Sequence, residues 1–303
     1  MFNLKKIRTT VTQLLQKMYS ADYITAGAKT YKRISSFGIK FEREYDAITS
    51  IEIHIVQHCN LNCRSCTHFS PLAEPEFASL EEFENNIKRL AKVTRRRVRT
   101  FHVMGGEPLL HIDCVKFLEV TRKYFPDSVV QLVTNGILLP QQGEDFYYSL
   151  SKNNIIISPT KYPIEIDWDK ILANCNKYCV KLEFFNPLDE VKTLLIRPLD
   201  LDGMQDPKKS FGSCTEGGLC NQLVGEKLYP CAYAAYIRHF SKYFDQALCA
   251  EEGDYVDIYH VKNLKEILMA LSKPIPFCRY CKVDKIKQGF KWRISEKNIE
   301  EWV

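Results

Sequence analysis

Eight of the twelve cysteines in this 303-residue chain fall in two groups whose spacing suits metal ligation. Cys59, Cys63 and Cys66 lie within the run His58-Cys59-Asn60-Leu61-Asn62-Cys63-Arg64-Ser65-Cys66. Cys214, Cys220 and Cys231 precede Cys278-Arg279-Tyr280-Cys281, whereas Cys114, Cys175, Cys179 and Cys249 are isolated. Thiolates are soft ligands that favour iron–sulfur clusters and zinc. Clusters normally take four cysteines, so three sulfurs within eight residues would leave one iron open to a substrate or cofactor. Zinc is the alternative, with His58 or His68 as a fourth ligand. In the second group, four of the five cysteines could hold either a [4Fe–4S] cluster or zinc.

These residues sit in a pattern of alternating strands and helices. Ile51, Ile53 and Ile55 alternate through Ser50 to Val56, which predicts a strand running into the first cysteine group. Ser79-Leu80-Glu81-Glu82 is a capping box, and its helix runs to about Val93. Val98 to Met104 reads as a strand and Ile112 to Tyr124 as a helix stopped by Pro126. Further strands are expected over Val129 to Thr134, Ile155 to Ser158, Val180 to Phe185 and Thr193 to Arg197. Helices over Glu144 to Ser151 and Trp168 to Tyr178 fall between them. Such alternation argues for α/β architecture with a parallel sheet. Six units are fewer than the eight of a closed barrel, so a partial (β/α)6 barrel is expected, a doubly wound sheet being the other possibility.

The flanking regions differ in texture. Leu4, Ile7, Val11, Leu14, Leu15 and Met18 share one helical face with basic residues elsewhere, so residues 1–48 read as a basic amphipathic helical extension. Packing on its own domain is its ordinary role; contact with a membrane surface or partner is the minor one. Residues 1–50 hold nine Lys/Arg against four Asp/Glu, which accounts for the whole net charge of +5. The balance elsewhere argues against a nucleic-acid partner. No apolar run is long enough to span a bilayer. The polar Thr and Gln after Met1 to Lys6 argue against a secretory signal, so a cytoplasmic protein with reduced thiols is expected. Three parts follow: 1–48, a barrel over 49–203, and a glycine-broken, cysteine-rich segment over 204–303.

The Cys-x3-Cys-x2-Cys run after the first strand resembles the signature of the radical S-adenosylmethionine (SAM) superfamily. Gly105-Gly106-Glu107-Pro108, at the end of the second strand, resembles that family's GGEP motif. Asn135 and Ser158 close the third and fourth strands, where barrel active sites lie. The resemblance implies a [4Fe–4S] cluster on Cys59, Cys63 and Cys66, with SAM on its open iron. Gly105, Gly106, Glu107, Pro108, Asn135 and Ser158 would contact SAM, with the Glu107 carboxylate and a backbone carbonyl accepting from its ammonium. A 5′-deoxyadenosyl radical formed from SAM would then remove a substrate hydrogen, and a flavodoxin- or ferredoxin-type donor would supply the electron. Ser65 stands where the family usually has an aromatic residue; Phe69 is a possible substitute.

The later cysteines resemble the SPASM/Twitch extension, the shorter Twitch form fitting this number. It implies an auxiliary [4Fe–4S] cluster on Cys220, Cys231, Cys278 and Cys281, with Cys214 as the alternative ligand. The layout resembles small carbohydrate-tailoring members, implying a sugar or polyol substrate that is oxidised or epimerised at a carbinol carbon. In related epimerases a thiol beyond the barrel returns hydrogen to the substrate radical, and Cys249 is a candidate. Lys161, Tyr162 and Arg197 follow strand ends and could face substrate, and His68 lies near the first cluster. Cys114, Cys175 and Cys179 read as core residues. A peptide-modifying maturase and a non-catalytic Fe–S or zinc protein are the competing functions.

Overall fold

The computed structural model describes residues 28–35, 38–185 and 191–303. Contacts divide the chain into two units, Met1–Thr49 and Ser50–Val303. Within the first, strands β1 (Ala28–Ser35) and β2 (Gly38–Tyr45) pair antiparallel from Ala28 opposite Tyr45 to Ser35 opposite Gly38. A β-hairpin therefore replaces the helical reading for this part of residues 1–48. Ile39, Phe41 and Tyr45 follow a period of two rather than 3.6, which favours strand. The amphipathic helix expected over residues 4–18 lies outside the described residues.

The second unit is built on a seven-stranded sheet in the order Val256–Asp257 (β10), Lys227–Tyr229 (β9), Asn221–Val224 (β8), Ile48–His54 (β3), Val98–Met104 (β4), Val129–Thr134 (β5) and Ile156–Pro159 (β6). Its parallel part comprises β3 (Ile48–His54), β4 (Val98–Met104), β5 (Val129–Thr134) and β6 (Ile156–Pro159). β4, β5 and β6 pair parallel in sequence order. Residues 181–185 continue the ladder on β6: Ile157 N–H donates to the Lys181 carbonyl, and Glu183 and Phe185 N–H donate to Ile157 and Pro159. The fold is the expected mixed α/β arrangement with a mostly parallel sheet, consistent with a partial barrel.

Helices α1 (Leu80–Thr94), α2 (Cys114–Tyr124), α3 (Glu144–Lys152) and α4 (Trp168–Lys177) separate these strands. In α1 the Ser79 hydroxyl accepts from Glu82 N–H, the first half of the expected capping box. Phe83, Ile87, Leu90 and Thr94 then fall on one buried face at helical spacing. Phe83 meets Phe117 of α2 edge-on, their ring centroids 4.9 Å apart. That contact packs the first two helices against each other.

Two expectations need correction. β7 (Thr193–Ile196), read as a sixth barrel strand, pairs antiparallel with β11 (Lys287–Lys291) in a separate two-stranded sheet. Both faces of a central parallel strand must be apolar, and Thr193 is exposed at its start. Residues 204–303, expected as a separate small domain, also contribute to the main sheet. β8 (Asn221–Val224) pairs parallel with β3 and antiparallel with β9 (Lys227–Tyr229), which β10 (Val256–Asp257) follows.

Behind β9 lies α6 (Ala232–Phe244), preceded in the chain by the short α5 (Pro207–Ser213) and followed by α7 (Leu264–Leu271). Eight of the thirteen α6 residues are buried, as expected of a helix surrounded by protein. Tyr233, Tyr236 and Phe240 of α6 pack with Phe69, Phe277 and Trp302 in one apolar cluster. The start of the barrel and the end of the chain thus share a core.

Candidate active site

β3 delivers the first cysteine group to the sheet's carboxyl end. Gly105 and Gly106, after β4, bring a second segment against it. Gly106 N–H donates to the Val56 carbonyl and Glu107 N–H to the His58 carbonyl. A Cβ on Gly106 would lie 2.0 Å from the His58 carbonyl oxygen, and one on Gly105 2.4 Å from that of Val56. These glycines are required for close approach to the cysteine loop itself.

Cys59, Cys63 and Cys66 line a cavity of about 350 Å³ together with Gly105, Gly106 and Asn135. Burial pushes the Cys59 thiol up to about 12 and the Cys63 thiol to about 11. Burial pushes Cys66 up as well, but His68 beside it outweighs that and holds the thiol below its ordinary value. Cys59 and Cys63 are therefore neutral thiols as they stand, and a coordinating metal would deprotonate them outright. Three cysteines on the wall of one cavity are the donor set that a sulfur-ligated cluster would use.

The SAM contacts expected from the sequence divide on inspection. Asn135 reaches the cysteine loop, its amide donating to Asn60 Oδ1 at 2.7 Å and lying 3.7 Å from Cys59 Sγ. Glu107 is fully buried, and its carboxylate accepts from Thr134 Oγ1 (2.7 Å), Asn135 N–H (2.8 Å) and Leu109 N–H (3.1 Å). It braces the β5 turn rather than offering oxygens to an ammonium. Burial raises its carboxyl to about 7 despite those three donors. Ser158 is 1% exposed within β6, and the cavity is lined instead by Thr160, two residues on. Pro108 is buried behind the turn.

Ser65 lines the cavity with its hydroxyl already engaged, and Phe69 is turned away into the core. The Ser65 hydroxyl donates to the Glu301 carbonyl at 2.7 Å, and Phe69 is buried in the α6 core against Tyr233, Phe240 and Trp302. Phe69 therefore does not stand in for the missing aromatic residue. The C-terminal segment instead runs along the cysteine loop. Arg64 N–H donates to the Arg293 carbonyl (3.0 Å), Ser295 N–H to Asn62 (2.8 Å) and Trp302 Nε1 to Cys66 (3.0 Å). Cys63 and Ile294 form an antiparallel bridge. This pairing brings Trp292 to the cavity wall beside Tyr162, with ring centroids 5.7 Å apart.

Across the cavity lie residues that sequence reasoning passed over. Glu52 of β3 accepts from Gln222 Nε2 at 2.5 Å and lies 3.5 Å from His68 Nε2 and 3.6 Å from His102 Nδ1. Burial opposes its ionisation, but the two imidazoles outweigh burial and hold its carboxyl well below the usual range. The Cys66 thiol and Glu52 likewise overcome burial at His68, raising it to about 10. A carboxylate among isoleucines was the available signal, since alternation turns Glu52 away from Ile51 and Ile53. Lys192, Glu216 and Cys220 also line this cavity.

A smaller second cavity is lined by Cys214, Cys231, Cys278 and Cys281 together with Arg197. Burial pushes the Cys231 thiol to about 12 and raises Cys278 and Cys281, with neighbouring thiols adding to the effect. Four cysteines around one cavity are the donor number of an iron–sulfur cluster, while among the described residues no three His, Cys, Asp or Glu side chains gather closely enough to hold a single metal ion. Of the five cysteines named for this group, Cys214, Cys231, Cys278 and Cys281 line this cavity, while Cys220 lines the first. The reason is local, because Cys214 ends α5 whereas Cys220 immediately precedes β8 and follows its course toward Glu52. Glu216 and Ala232 line both cavities, so the two sites are adjacent.

Three other candidates fall outside the main cavity. Cys249 is exposed and lines neither cavity, so its placement gives no support to a hydrogen-donating role. Lys161 is exposed, its ammonium 5.8 Å from the Phe184 ring centroid. Arg197 is 3% exposed, pairs with Glu216 at 2.8 Å and lies 3.4 Å from Cys214 Sγ. It belongs to the second site. Cys114 and Cys175 are buried as expected, whereas Cys179 is exposed at the left-handed residue after α4. No helix among the described residues is long and apolar enough to cross a membrane.

Comparison with known proteins gives the same region a family. The model described as "Radical SAM superfamily" matches residues 53–160. Curated relatives include GTP 3',8-cyclases from Campylobacter lari, 30% identical over 115 residues (38% of this chain and 36% of that protein), and from Alkaliphilus oremlandii, 31% over 146 residues (45% and 44%). The chain spans less than half the length of these relatives. Among solved structures, BtrN in complex with AdoMet and 2-DOIA is 16% identical, covering 78% of this chain and 93% of that one, with a TM-score of 0.47. Native anSMEcpe with bound AdoMet is 22% identical, covering 45% of this chain and 43% of that one, with a TM-score of 0.36.

Proposed function

We propose that this chain, which matches the radical SAM superfamily over residues 53–160, oxidises a carbinol carbon of a sugar or polyol. Cys59, Cys63 and Cys66 would hold the SAM-binding [4Fe–4S] cluster. Cys214, Cys231, Cys278 and Cys281 would hold an auxiliary cluster in a Twitch-like arrangement. When bound, these groups would supply one-electron chemistry: reductive cleavage of SAM, removal of the carbinol hydrogen, and acceptance of the electron released as the hydroxyl proton passes to solvent and a ketone is left.

The chain's own residues support that chemistry. Asn135, Thr160, Gly105 and Gly106 line the cavity beside the first cysteines and would hold SAM. Glu107 positions the Asn135 turn through its hydrogen bond to Asn135 N–H. Glu52, held ionised on the cavity wall, offers lone pairs to hydroxyl groups of a polyol. The observation that carries the oxidative reading is the common wall of Glu216 and Ala232 between the cavities. It supports the reading because the four cysteines lining the second cavity would then adjoin the space where a substrate radical would form.

One observation favours a second outcome, epimerisation. Cys220 lines the first cavity and would present a thiol hydrogen to the substrate radical, the role for which Cys249 is the candidate from sequence. The test is anaerobic incubation of reconstituted protein with SAM, dithionite and carbon-deuterated sugars and polyols in heavy water. Transfer of substrate deuterium into 5′-deoxyadenosine with release of a ketone supports oxidation. An alcohol product carrying solvent deuterium, lost in Cys220→Ala, supports epimerisation. Cleavage of SAM without deuterium transfer from any member of the panel would overturn the sugar or polyol reading.

A further inference from the structure

Residues 51–303 as a whole hold equal numbers of Lys/Arg and Asp/Glu, yet one stretch departs from that balance. Between Asp284 and Glu296 stand Lys285, Lys287, Lys291 and Arg293 with no acidic residue among them. All four are exposed, and none forms an ion pair among the described residues. Phe290 and Ile294 lie between and beside them, 44% and 60% exposed. Every residue of β11 is exposed, and its outer edge is unpaired among the described residues. Lysines on a free edge strand deter pairing with another chain, but that purpose needs no exposed phenylalanine or isoleucine. Apolar side chains rimmed by charge are the make-up of a contact surface. The stretch also lies against the first cysteine loop. The Arg293 carbonyl accepts from Arg64 N–H at 3.0 Å, and Ser295 N–H donates to the Asn62 carbonyl at 2.8 Å. Ile294 stands opposite Cys63 in an antiparallel bridge, which sets the two backbones about 5 Å apart. The paired strand β7 contributes Thr193, Leu194 and Leu195 to the wall of the first cavity. This ribbon thus joins an exposed cationic surface to the first site.

We infer that this surface docks an acidic protein that delivers single electrons to the first site. This rests on the reading that the first site must gain one electron before SAM is cleaved; the docked protein loses that electron. Charge argues for an acidic partner, because unpaired cations clustered on one face steer an oppositely charged protein to it. Position argues for an electron donor, because a partner seated on Ile294 reaches the Cys63 loop from the protein surface. Exposed ion pairs are individually weak, so the four cations act together, chiefly on the rate of encounter, and salt screens them.

The test uses the full-length reconstituted protein with photoreduced flavodoxin, an acidic one-electron donor. Calorimetry measures binding and chromatography measures 5′-deoxyadenosine, with dithionite as a small reductant that needs no docking. In the triple variant Lys285→Glu, Lys287→Glu, Lys291→Glu, binding and flavodoxin-driven turnover should each fall about tenfold at low salt. Dithionite-driven turnover should match the wild type. Added salt should weaken wild-type binding and narrow the gap between the two proteins. If the charge reversals disturb folding, the triple Lys→Gln variant at the same positions carries the same expectation with a smaller drop. Flavodoxin binding that these substitutions leave unchanged would overturn the inference. So would an equal loss of turnover with both reductants in the Lys→Gln variant, since the segment would then only brace the cysteine loop. Wild-type protein that binds phosphatidylserine vesicles and not flavodoxin would assign the surface to a membrane and overturn the inference too. A wild type that forms no 5′-deoxyadenosine with dithionite would overturn the functional reading instead, while the binding measurements still decide the docking surface.

Discussion

At the scale of single residues, the two cysteine groups have different legibility. Cys59, Cys63 and Cys66 were legible because their ligand spacing lies within one loop, close enough in sequence to require no tertiary knowledge. The second group depends on which way each thiol faces where α5 gives way to β8, and spacing does not encode that. Cys214 lines the second cavity and Cys220 the first, and we take Cys214 as the auxiliary ligand. Cys214→Ala should therefore remove the auxiliary cluster's iron while Cys220→Ala retains it, as measured by iron content of purified, reconstituted protein. Loss of iron in Cys220→Ala alone would restore the original assignment. Glu52 escaped notice for a related reason: a single carboxylate in a strand announces burial but not what lies opposite.

At the scale of elements, the turn after β4 does two jobs. Its glycines let it touch the cysteine loop, and Glu107 ties it to the end of β5. In Gly106→Ala the new methyl would collide with the His58 carbonyl, a backbone atom with little room to yield. The expected result is loss of first-site iron with the second site retained. Glu107→Gln faces one of three donors with an amide N–H, which leaves a buried donor unmatched at a cost of about 1–3 kcal/mol; urea melts measure it. The folded Glu107 carboxyl is raised to about 7 from an ordinary 4.5. A carboxyl raised in the folded state favours folding most at low pH. Its contribution is fully present below about 4.5 and lost as pH rises through about 7. The wild type should show this slope in stability between those limits and Glu107→Gln should lack it. Strand and helix periodicity revealed β3 to β6 and α1 to α4, because each buries a regular face. It misplaced β7, because four apolar-leaning residues look the same at a sheet's centre as in an antiparallel ribbon.

At the scale of the whole molecule, the last residues close the structure over its first functional loop. Trp302 is fully buried in the α6 core and donates to the Cys66 carbonyl. Trp302→Ala should cost about 3–5 kcal/mol and loosen the cysteine loop, seen as a lower unfolding midpoint together with faster loss of first-site iron to a chelator. A drop in stability with unchanged chelation would separate the core from the site. Contacts between residues more than two hundred positions apart leave no periodic trace, so this closure was invisible in the sequence. The same holds for the wall shared by the two cavities, on which the oxidative reading depends.

The most direct measurement is iron content and SAM cleavage after anaerobic reconstitution. Two [4Fe–4S] clusters require about eight irons per chain. The wild type should hold that number and form 5′-deoxyadenosine with dithionite. Cys214→Ala should fall to about half the iron and still cleave SAM; Cys59→Ala, Cys63→Ala and Cys66→Ala should each abolish cleavage. Zinc in place of iron, no SAM cleavage by the wild type, or an iron content of about four that Cys214→Ala leaves unchanged would contradict the two-cluster account.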